Sequence, residues 1–160
     1  MSLLVALRPS FGQALVVGGG SVARRKVHGL VEAGFAVTVV APEIDDAIAA
    51  AGVTVRQRRF AASDLDGAAL VFACTNDRAV NRDIGESARE AGVPVLVADS
   101  QAESTFFSVA TTRRGSVQVG VTTEGAGPGL ATSIRDTVAA ALPADLAERA
   151  DRLRRSRRPS

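Results

Sequence analysis

Leu15-Val16-Val17-Gly18-Gly19-Gly20-Ser21-Val22-Ala23-Arg24-Arg25-Lys26 is the stretch on which the reading of the whole chain turns. Ala14–Val17 is a short apolar run, as a strand buried on both faces requires. From Val22 to Ala33 the apolar positions Val22, Val27, Leu30 and Val31 follow helical spacing, and Gly34 stands where a C-cap glycine belongs. Between strand and helix, Gly18 to Ala23 fits G-x-G-x-x-A. Gly18 permits the tight turn, Gly20 lets a pyrophosphate approach the backbone, and Ala23 lets the helix pack close to the strand. Dinucleotide phosphates then meet the free amides of the helix N-terminus. Arg24, Arg25 and Lys26 oppose the positive end of the helix dipole. They point about 100° apart around the helix, so one can serve the site while the others are solvated.

Working outward, Ala36–Val40 is a second β-branched run, closing a strand–helix–strand unit of about 30 residues. Ile44–Ala51 predicts a short helix, Val53–Val55 a strand, Ala68–Ala73 a buried strand, Ala79–Ala91 a helix ended by Gly92, and Val93–Ala98 another strand. Strands alternating with helices predict an α/β, Rossmann-like parallel sheet with helices on both faces. After Asp99 the pattern changes. Thr105–Thr112 and Ser116–Thr123 read as a hairpin around Arg113-Arg114-Gly115, and a Gly/Pro turn leads into a helix over Leu130–Leu142. The expected division is a cofactor-binding domain over 1–112, a β-hairpin plus helix appendage over 113–145, and a basic, frayed tail over 146–160.

Apolar residues make up 46% of the 160, enough for a core, with Phe as the only aromatic type. The formal net charge is +2, and the basicity gathers in the tail at Arg149, Arg152, Arg154, Arg155, Arg157 and Arg158. That tail reads as a solvated helix end rather than a nucleic-acid or membrane contact. Cys74 is the single cysteine, so neither an intrachain disulfide nor a cysteine-based zinc site can form, and no metal site is expected. No apolar run reaches the roughly 18 residues of a membrane helix, and no signal-peptide pattern opens the chain. A cytoplasmic protein is expected.

In such sheets ligands lie beyond the carboxyl ends of the strands. The loop Cys74-Thr75-Asn76-Asp77 after the fourth strand therefore borders the cofactor, with Cys74 a buried filler. The place of the usual ribose-binding acid is held by Ala41, with Glu43 two residues on. Glu43, Asp45 and Asp46 repel a 2′-phosphate and no arginine adjoins them in sequence, which favours NAD over NADP. Asp99 ends the strand Val93–Ala98 on the same rim, where it is either a general acid–base or the cap of a turn. His28 lies on the helix surface. Gly125 and Gly127 belong to a second turn before a helix, a place for substrate carboxylates or a plain connection. Walker A, H-E-x-x-H and G-x-S-x-G sequences are absent, which argues against P-loop hydrolysis, zincin and serine-hydrolase chemistry.

With these residues in place, the chain resembles the siroheme-synthase N-terminal domain, or precorrin-2 dehydrogenase, family. The stretch from Val16 to Glu43 is similar to its signature, G-G-G-x-V-A-x-R-K. Ala73–Asp77 with Val80-Asn81, the strand ending at Asp99, and Thr122–Ala131 agree in order and spacing. The resemblance covers about residues 3–150. It implies NAD-dependent oxidation of precorrin-2 to sirohydrochlorin on the route to siroheme, with ferrous iron insertion in some members. It implies Asp99 as the acid–base, and Ser21, Val22, Pro42 and Glu43 as NAD contacts beside Gly18, Gly20, Thr75 and Asn76. Arg113 and Arg114, with Gly125 and Gly127, are candidates to hold the carboxylate arms of the tetrapyrrole, and a homodimer is expected through the region after Asp99. The chain departs from the family at Leu96, commonly Asn; at Glu124, within the S-T-G-G turn; and at Val109, commonly Pro. Members usually continue into a further helical part. A non-catalytic NAD-binding regulatory module is the alternative, and Asp99 separates the two, because a sensor needs the glycines but no carboxylate at the nicotinamide.

Overall fold

Ala14 to Val17 are each at most 2% exposed, as a strand covered on both faces must be. A computed structural model, which describes residues 2–157, places them in β1 (Gln13–Val17), the middle of a five-stranded parallel sheet. Its order is β3-β2-β1-β4-β5, with β2 at Val37–Val40, β3 at Thr54–Arg56, β4 at Ala68–Ala73 and β5 at Val95–Val97. The chain winds outward from β1 through β2 to β3, then returns to the other side of β1 for β4. The order thus reverses between β1 and β4, where a crevice opens beyond their carboxyl ends.

Alternation along each strand builds two cores. Ala14 and Val16 of β1 and Leu70 and Phe72 of β4 pack on α1 (Ser21–Glu32) and α2 (Asp46–Ala49), through Ala23, Val27, Leu30 and Ile48. Leu15, Val17, Val71 and Ala73 face the opposite side and meet Ile84 and Ala88 of α3 (Arg78–Glu90) and Leu65 of a short 3-10 helix. The Rossmann-like sheet with helices on both faces is therefore the fold. The helix expected over Ile44–Ala51 is only the four residues of α2, started by Asp45, whose side chain accepts from the Ala47 amide at 2.9 Å.

The chain divides into two compact units, 6–107 and 2–5 with 108–157. The division falls at 107/108, not at 112, because the residues from Thr105 are tied to β5. The Thr105 amide donates to the Val95 carbonyl at 2.7 Å, and the Val95 amide donates to the Thr105 hydroxyl at 2.8 Å. The antiparallel hairpin consequently starts later than expected, with β6 at Ala110–Arg114 and β7 at Val117–Val121. α4 (Pro128–Ala141) and α5 (Leu146–Ser156) complete this unit. The tail expected to fray is helical through Ser156. Glu148 in its first turn and Arg154 and Arg155 in its last complement the dipole, and Arg152–Glu148 and Arg154–Asp151 pair at helical spacing. Residues 158–160, Arg158 among them, lie outside the described residues. No described helix is long and apolar enough to cross a membrane.

Candidate functional site

At the end of β1 the three glycines do three different things. Gly18 has φ of 129°, and a Cβ there would lie 2.4 Å from the Cys74 carbonyl oxygen. At Gly19 a Cβ would lie 1.9 Å from the Glu43 carbonyl oxygen. These two positions let the loops after β1, β2 and β4 close on one another. Gly20, the N-cap of α1, is different, because a Cβ there would meet no atom within 4 Å. The α1 N-terminus therefore presents its backbone on an open side, and the first-turn amides of a helix have no partners within it. Ala23 is fully buried against the sheet, as its place in the motif requires. This is a cradle whose donor set, backbone amides at the positive end of a helix, fits a diphosphate.

The cradle opens into a cleft of about 980 Å³ whose walls include Gly18, Gly20, Pro42, Glu43, Thr75 and Asn76. Six of the expected contacts thus line one cleft. Ser21 and Val22 stand beside it, in the first turn of α1. Arg59, Phe60, Val80 and Asp83 complete the cleft. Val80 belongs to a segment on which the family resemblance rests, but sequence reasoning missed Arg59, Phe60 and Asp83, which come from the loop after β3 and from α3 and which no local motif marks. No arginine was expected beside Glu43 and Asp45. The fold brings one there, for Arg24 Nη1 lies 3.2 Å from Asp45 Oδ2, and it adds Arg59 to the lining of the same cleft. Arg24 is thereby engaged, while the Arg59 side chain has no carboxylate partner among the described residues.

Of the three cations after the glycines, Lys26 turns inward. It is half-buried, with its Nζ 6.0 Å from the centre of the Phe72 ring, while Arg24 and Arg25 are exposed. Phe72 in turn meets Phe106 edge-on, centroids 5.3 Å apart. Burial pushes the Lys26 ammonium below its ordinary value. Burial also pushes the Cys74 thiol up to about 11, opposed by the nearby Lys26 charge. Cys74 is 5% exposed, the buried filler expected.

Asp99 follows β5, and its carboxylate is held in place by Asn81 of α3. Asn81 is 1% exposed and uses its whole amide. Its Oδ1 accepts from the Thr75 amide at 2.9 Å and the Thr75 hydroxyl at 2.8 Å. Its Nδ2 donates to the Thr75 carbonyl at 3.1 Å and to Asp99 Oδ2 at 2.9 Å. The Asp99 carboxylate is thus bound through one side chain to the loop that lines the cleft, with 38% of its side chain exposed. Arg78 Nη1 lies 3.9 Å from Asp99 Oδ1, and Arg78 Nη2 donates to Glu103 Oε1. The Arg78 hydrogen bond holds the Glu103 carboxyl below its usual range. Nothing in the sequence assigned roles to Asn81, Arg78 and Glu103, because the contacts span 18 to 25 residues.

The remaining candidates lie in the second unit. Arg113 sits on β6 and donates to Gln118 Oε1 at 3.2 Å. Arg114, expected as a carboxylate contact, instead donates to the carbonyls of Leu142 at 2.7 Å and Pro143 at 3.0 Å. It closes the C-terminus of α4, where orphan carbonyls attract a cation. Gly125 and Gly127 adopt φ of 89° and 118° before α4, Gly127 being its N-cap. Glu124 between Thr123 and Gly125 accepts from the Ser2 amide at 3.0 Å and the Ser2 hydroxyl at 2.5 Å, so this departure ties down residue 2. Among the described residues no three His, Cys, Asp or Glu side chains gather as a metal site.

A family described as "Putative NAD(P)-binding" matches residues 5–110. The siroheme synthase of Pseudomonas entomophila (strain L48) is 40% identical over 141 residues, covering 86% of this chain and 30% of that protein. The siroheme synthase of Gluconacetobacter diazotrophicus is 35% identical over 150 residues, covering 89% of this chain and 32% of that protein. The chain thus spans about a third of the length of these curated relatives. Among solved structures, SirC, a precorrin-2 dehydrogenase, superposes with a TM-score of 0.74 at 26% identity, covering 92% of this chain and 74% of that one.

Proposed function

Because this chain belongs to the NAD(P)-binding family matched over residues 5–110, with a nicotinamide cofactor as its ligand, we propose that it uses NAD to oxidise precorrin-2 to sirohydrochlorin in siroheme synthesis. The observation that carries the reading is the Asn81 bridge, which fixes the Asp99 carboxylate to the Thr75 loop of the cofactor cleft at 2.9 Å. Likeness to siroheme synthases and to a precorrin-2 dehydrogenase supports the choice of substrate.

When bound, the nicotinamide supplies the hydride acceptor. The chain does the rest. The amides of Gly20, Ser21 and Val22 hold the diphosphate at the α1 N-terminus. Pro42 and Glu43 hold the adenosine ribose, with the Glu43 carboxylate disfavouring a 2′-phosphate and so selecting NAD. Thr75 and Asn76 line the cleft next to Asp99. As the substrate gives up a hydride, its companion proton passes to Asp99, which later releases it to water. One C–H bond goes as hydride and one proton as acid, so the oxidation balances. Within the second unit, Arg113, Gly125 and Gly127 are the groups suited to bind carboxylates.

The functional unit is a homodimer formed through the second unit, working in the cytoplasm. Support for the dimer comes from the large apolar side chains this unit leaves bare. Leu3 is 86% exposed, and Val5, Leu4 and Leu130 are at least half exposed. Such surface normally finds a partner.

The direct test supplies precorrin-2 and NAD and follows NADH by absorbance. Asp99→Ala should form no NADH while still binding NAD, and unchanged turnover in that variant would sink the assignment. NAD binding without any NADH from the native chain would return it to the regulatory reading. Sirohydrochlorin with ferrous ion, followed spectrally, tests the iron insertion found in some members.

A further inference from the structure

We propose that Asp64 is a positioning residue for the cofactor: its carboxylate clamps the loop after β3 so that Phe60 and Arg59 form the wall that receives the adenine base. The inference rests on the cleft taking a dinucleotide, and it concerns the side of the sheet away from Asp99.

The loop after β3 leads to a short 3-10 helix at Ala62–Leu65. It puts Arg59 and Phe60 into the cleft lining, while Asp64 stands outside that lining. The Asp64 side chain is 1% exposed. Its Oδ1 accepts from Arg56 at 2.7 Å and from Arg58 at 2.5 Å, and its Oδ2 accepts from Arg58 at 2.7 Å and from the Ala61 amide at 3.0 Å. Arg58 also donates to the Arg59 carbonyl at 2.9 Å. The Arg59 carbonyl and the Ala61 amide belong to the two peptide groups on either side of Phe60. One ion pair, Asp64 with Arg58, therefore holds both planes, and with them the direction in which the Phe60 ring leaves the backbone. On its other side Phe60 packs against the core cluster of Val17, Val40 and Leu65. Asp64 takes Arg56 and Arg58 and leaves Arg59 to the cleft.

The place of this wall says what it meets. β3 is the edge strand beside β2, whereas β5, which leads to Asp99, is the opposite edge. With the diphosphate at the α1 N-terminus and the ribose at Glu43, the base falls on the β3 side of the crevice. The surface there suits a purine, since Val17, Val40, Phe60 and Val80 are apolar and Arg59 adds a guanidinium. Both an aromatic ring and a guanidinium plane stack on a base. A buried carboxylate paired with arginine adds little stability over apolar packing, and its best-attested use is to fix one conformation among several.

Asp64→Asn keeps the shape of the side chain and breaks the ion pair. It should weaken NAD by about tenfold, the scale of one base–aromatic contact. ADP-ribose should weaken equally, whereas nicotinamide mononucleotide, which lacks the adenosine, should bind as it does to the native chain. Calorimetric titration of the full chain with each of the three reads this. Turnover of precorrin-2 should show a correspondingly higher KM for NAD with kcat at saturating NAD retained. Loss of folded protein lowers kcat instead, so the split separates positioning from stability. Phe60→Ala should cause the same loss, and the double variant should be no worse than Phe60→Ala alone, because the clamp acts through that ring. Arg58→Ala carries the test if Asp64→Asn does not fold, since it frees the Arg59 carbonyl and leaves Asp64 bonded to Arg56 and Ala61. Native affinity for NAD and ADP-ribose in these variants, or additive losses in the double variant, overturns the proposal. A native chain that binds neither NAD nor ADP-ribose sinks the dinucleotide reading itself, and the clamp with it.

Discussion

Asn81 joins two loops that are distant in sequence, its Oδ1 taking the Thr75 amide at 2.9 Å and its Nδ2 reaching Asp99 Oδ2 at 2.9 Å. A hydrogen bond to a charged group is worth about 1.5–3 kcal/mol, and a buried donor left unpaired costs about as much. Asn81→Leu removes the tether to Asp99 and strands the Thr75 amide. It should lower kcat by about 10- to 100-fold, the rate equivalent of losing that hold, and lower the melting temperature as well. Asn81→Asp places a second carboxylate against Asp99 and should be at least as damaging at neutral pH. Native kcat in Asn81→Leu would show that Asp99 needs no tether.

Gly19 and Gly20 separate folding from binding. A methyl group at Gly19 collides with the backbone of Glu43, whereas one at Gly20 enters open space at the N-terminus of α1. Gly19→Ala should therefore fold poorly, because overpacking against backbone typically costs 1–3 kcal/mol or more. Gly20→Ala should keep the native melting temperature and weaken NAD roughly tenfold, through the space the diphosphate needs. Thermal melts with and without NAD check both. Equal stability of the two variants would contradict the difference between the two sites.

Much of this is legible in the sequence, and the reasons are local. Ala14–Val17 and Ala68–Ala73 are apolar without interruption because both faces of their strands are covered, and Val22 to Leu30 keep helical spacing because one face is. Gly18 and Gly20 carry their meaning in their position between strand and helix. Long-range choices left no such trace. Thr105 has the composition of a hairpin strand, yet its hydroxyl and amide are spent on Val95. Arg114 looks like an anion contact until the end of α4 folds onto it. Arg59 comes to the cleft from the loop after β3, and Arg24 to Asp45 from the first turn of α1, contacts that no local pattern announces. Asn81 lies in a segment that the family resemblance covers, but its role depends on which atoms α3 brings to Asp99.

Arg59 makes cofactor choice testable by charge alone. Glu43 and Arg59 line the same cleft, and Arg24 is occupied by Asp45. If Glu43 is what excludes a 2′-phosphate, Glu43→Ser should bind NADP more tightly by about tenfold, as removal of one nearby like charge allows. NAD should weaken in the same variant, which lacks the ribose acceptor. The gain for NADP should shrink when Arg59→Ala is added, because the only cleft-lining arginine among the described residues is then gone and Arg24 is engaged by Asp45. Calorimetric titration of both cofactors reads this directly. A gain that survives the second substitution would assign the phosphate to another residue.

Asp64 predicts how the first unit fails in acid. Its side chain is 1% exposed and accepts from Arg56 at 2.7 Å, from Arg58 at 2.5 and 2.7 Å, and from the Ala61 amide at 3.0 Å. The Arg58 hydrogen bond, ahead of the others, holds the Asp64 carboxyl well below the usual carboxylate range. The unfolded chain therefore binds the proton first as pH falls, so stability is intact above about pH 4 and is lost progressively below it. The arginines are about half exposed, so Asp64→Asn should cost only about 1–3 kcal/mol at pH 7. It should also flatten the acid limb in urea melts taken from pH 6 to pH 3. An acid limb as steep in the variant as in the native chain would place the sensitivity elsewhere.

Cys74 predicts the opposite limb. Burial, more than any charge, raises its thiol to about 11, and Lys26 offsets only part of that. At pH 7.5 the native thiolate is scarce, so a disulfide reagent such as DTNB should label it at least about 100-fold more slowly than the unfolded chain, where an ordinary thiol ionises near pH 8.5. The same shift acts on stability. Between about pH 9 and 11 the unfolded thiol gives up its proton while the folded one keeps it, so each rise in pH favours unfolding. The loss approaches about 2–3 kcal/mol over that interval. Cys74→Ala removes the titrating group and should leave stability flatter from pH 8 to pH 11, at the cost of a small cavity beside Phe72. Rapid native labelling at pH 7.5, or an alkaline limb that persists in Cys74→Ala, would mean that the sulfur is not sealed between β4 and α1.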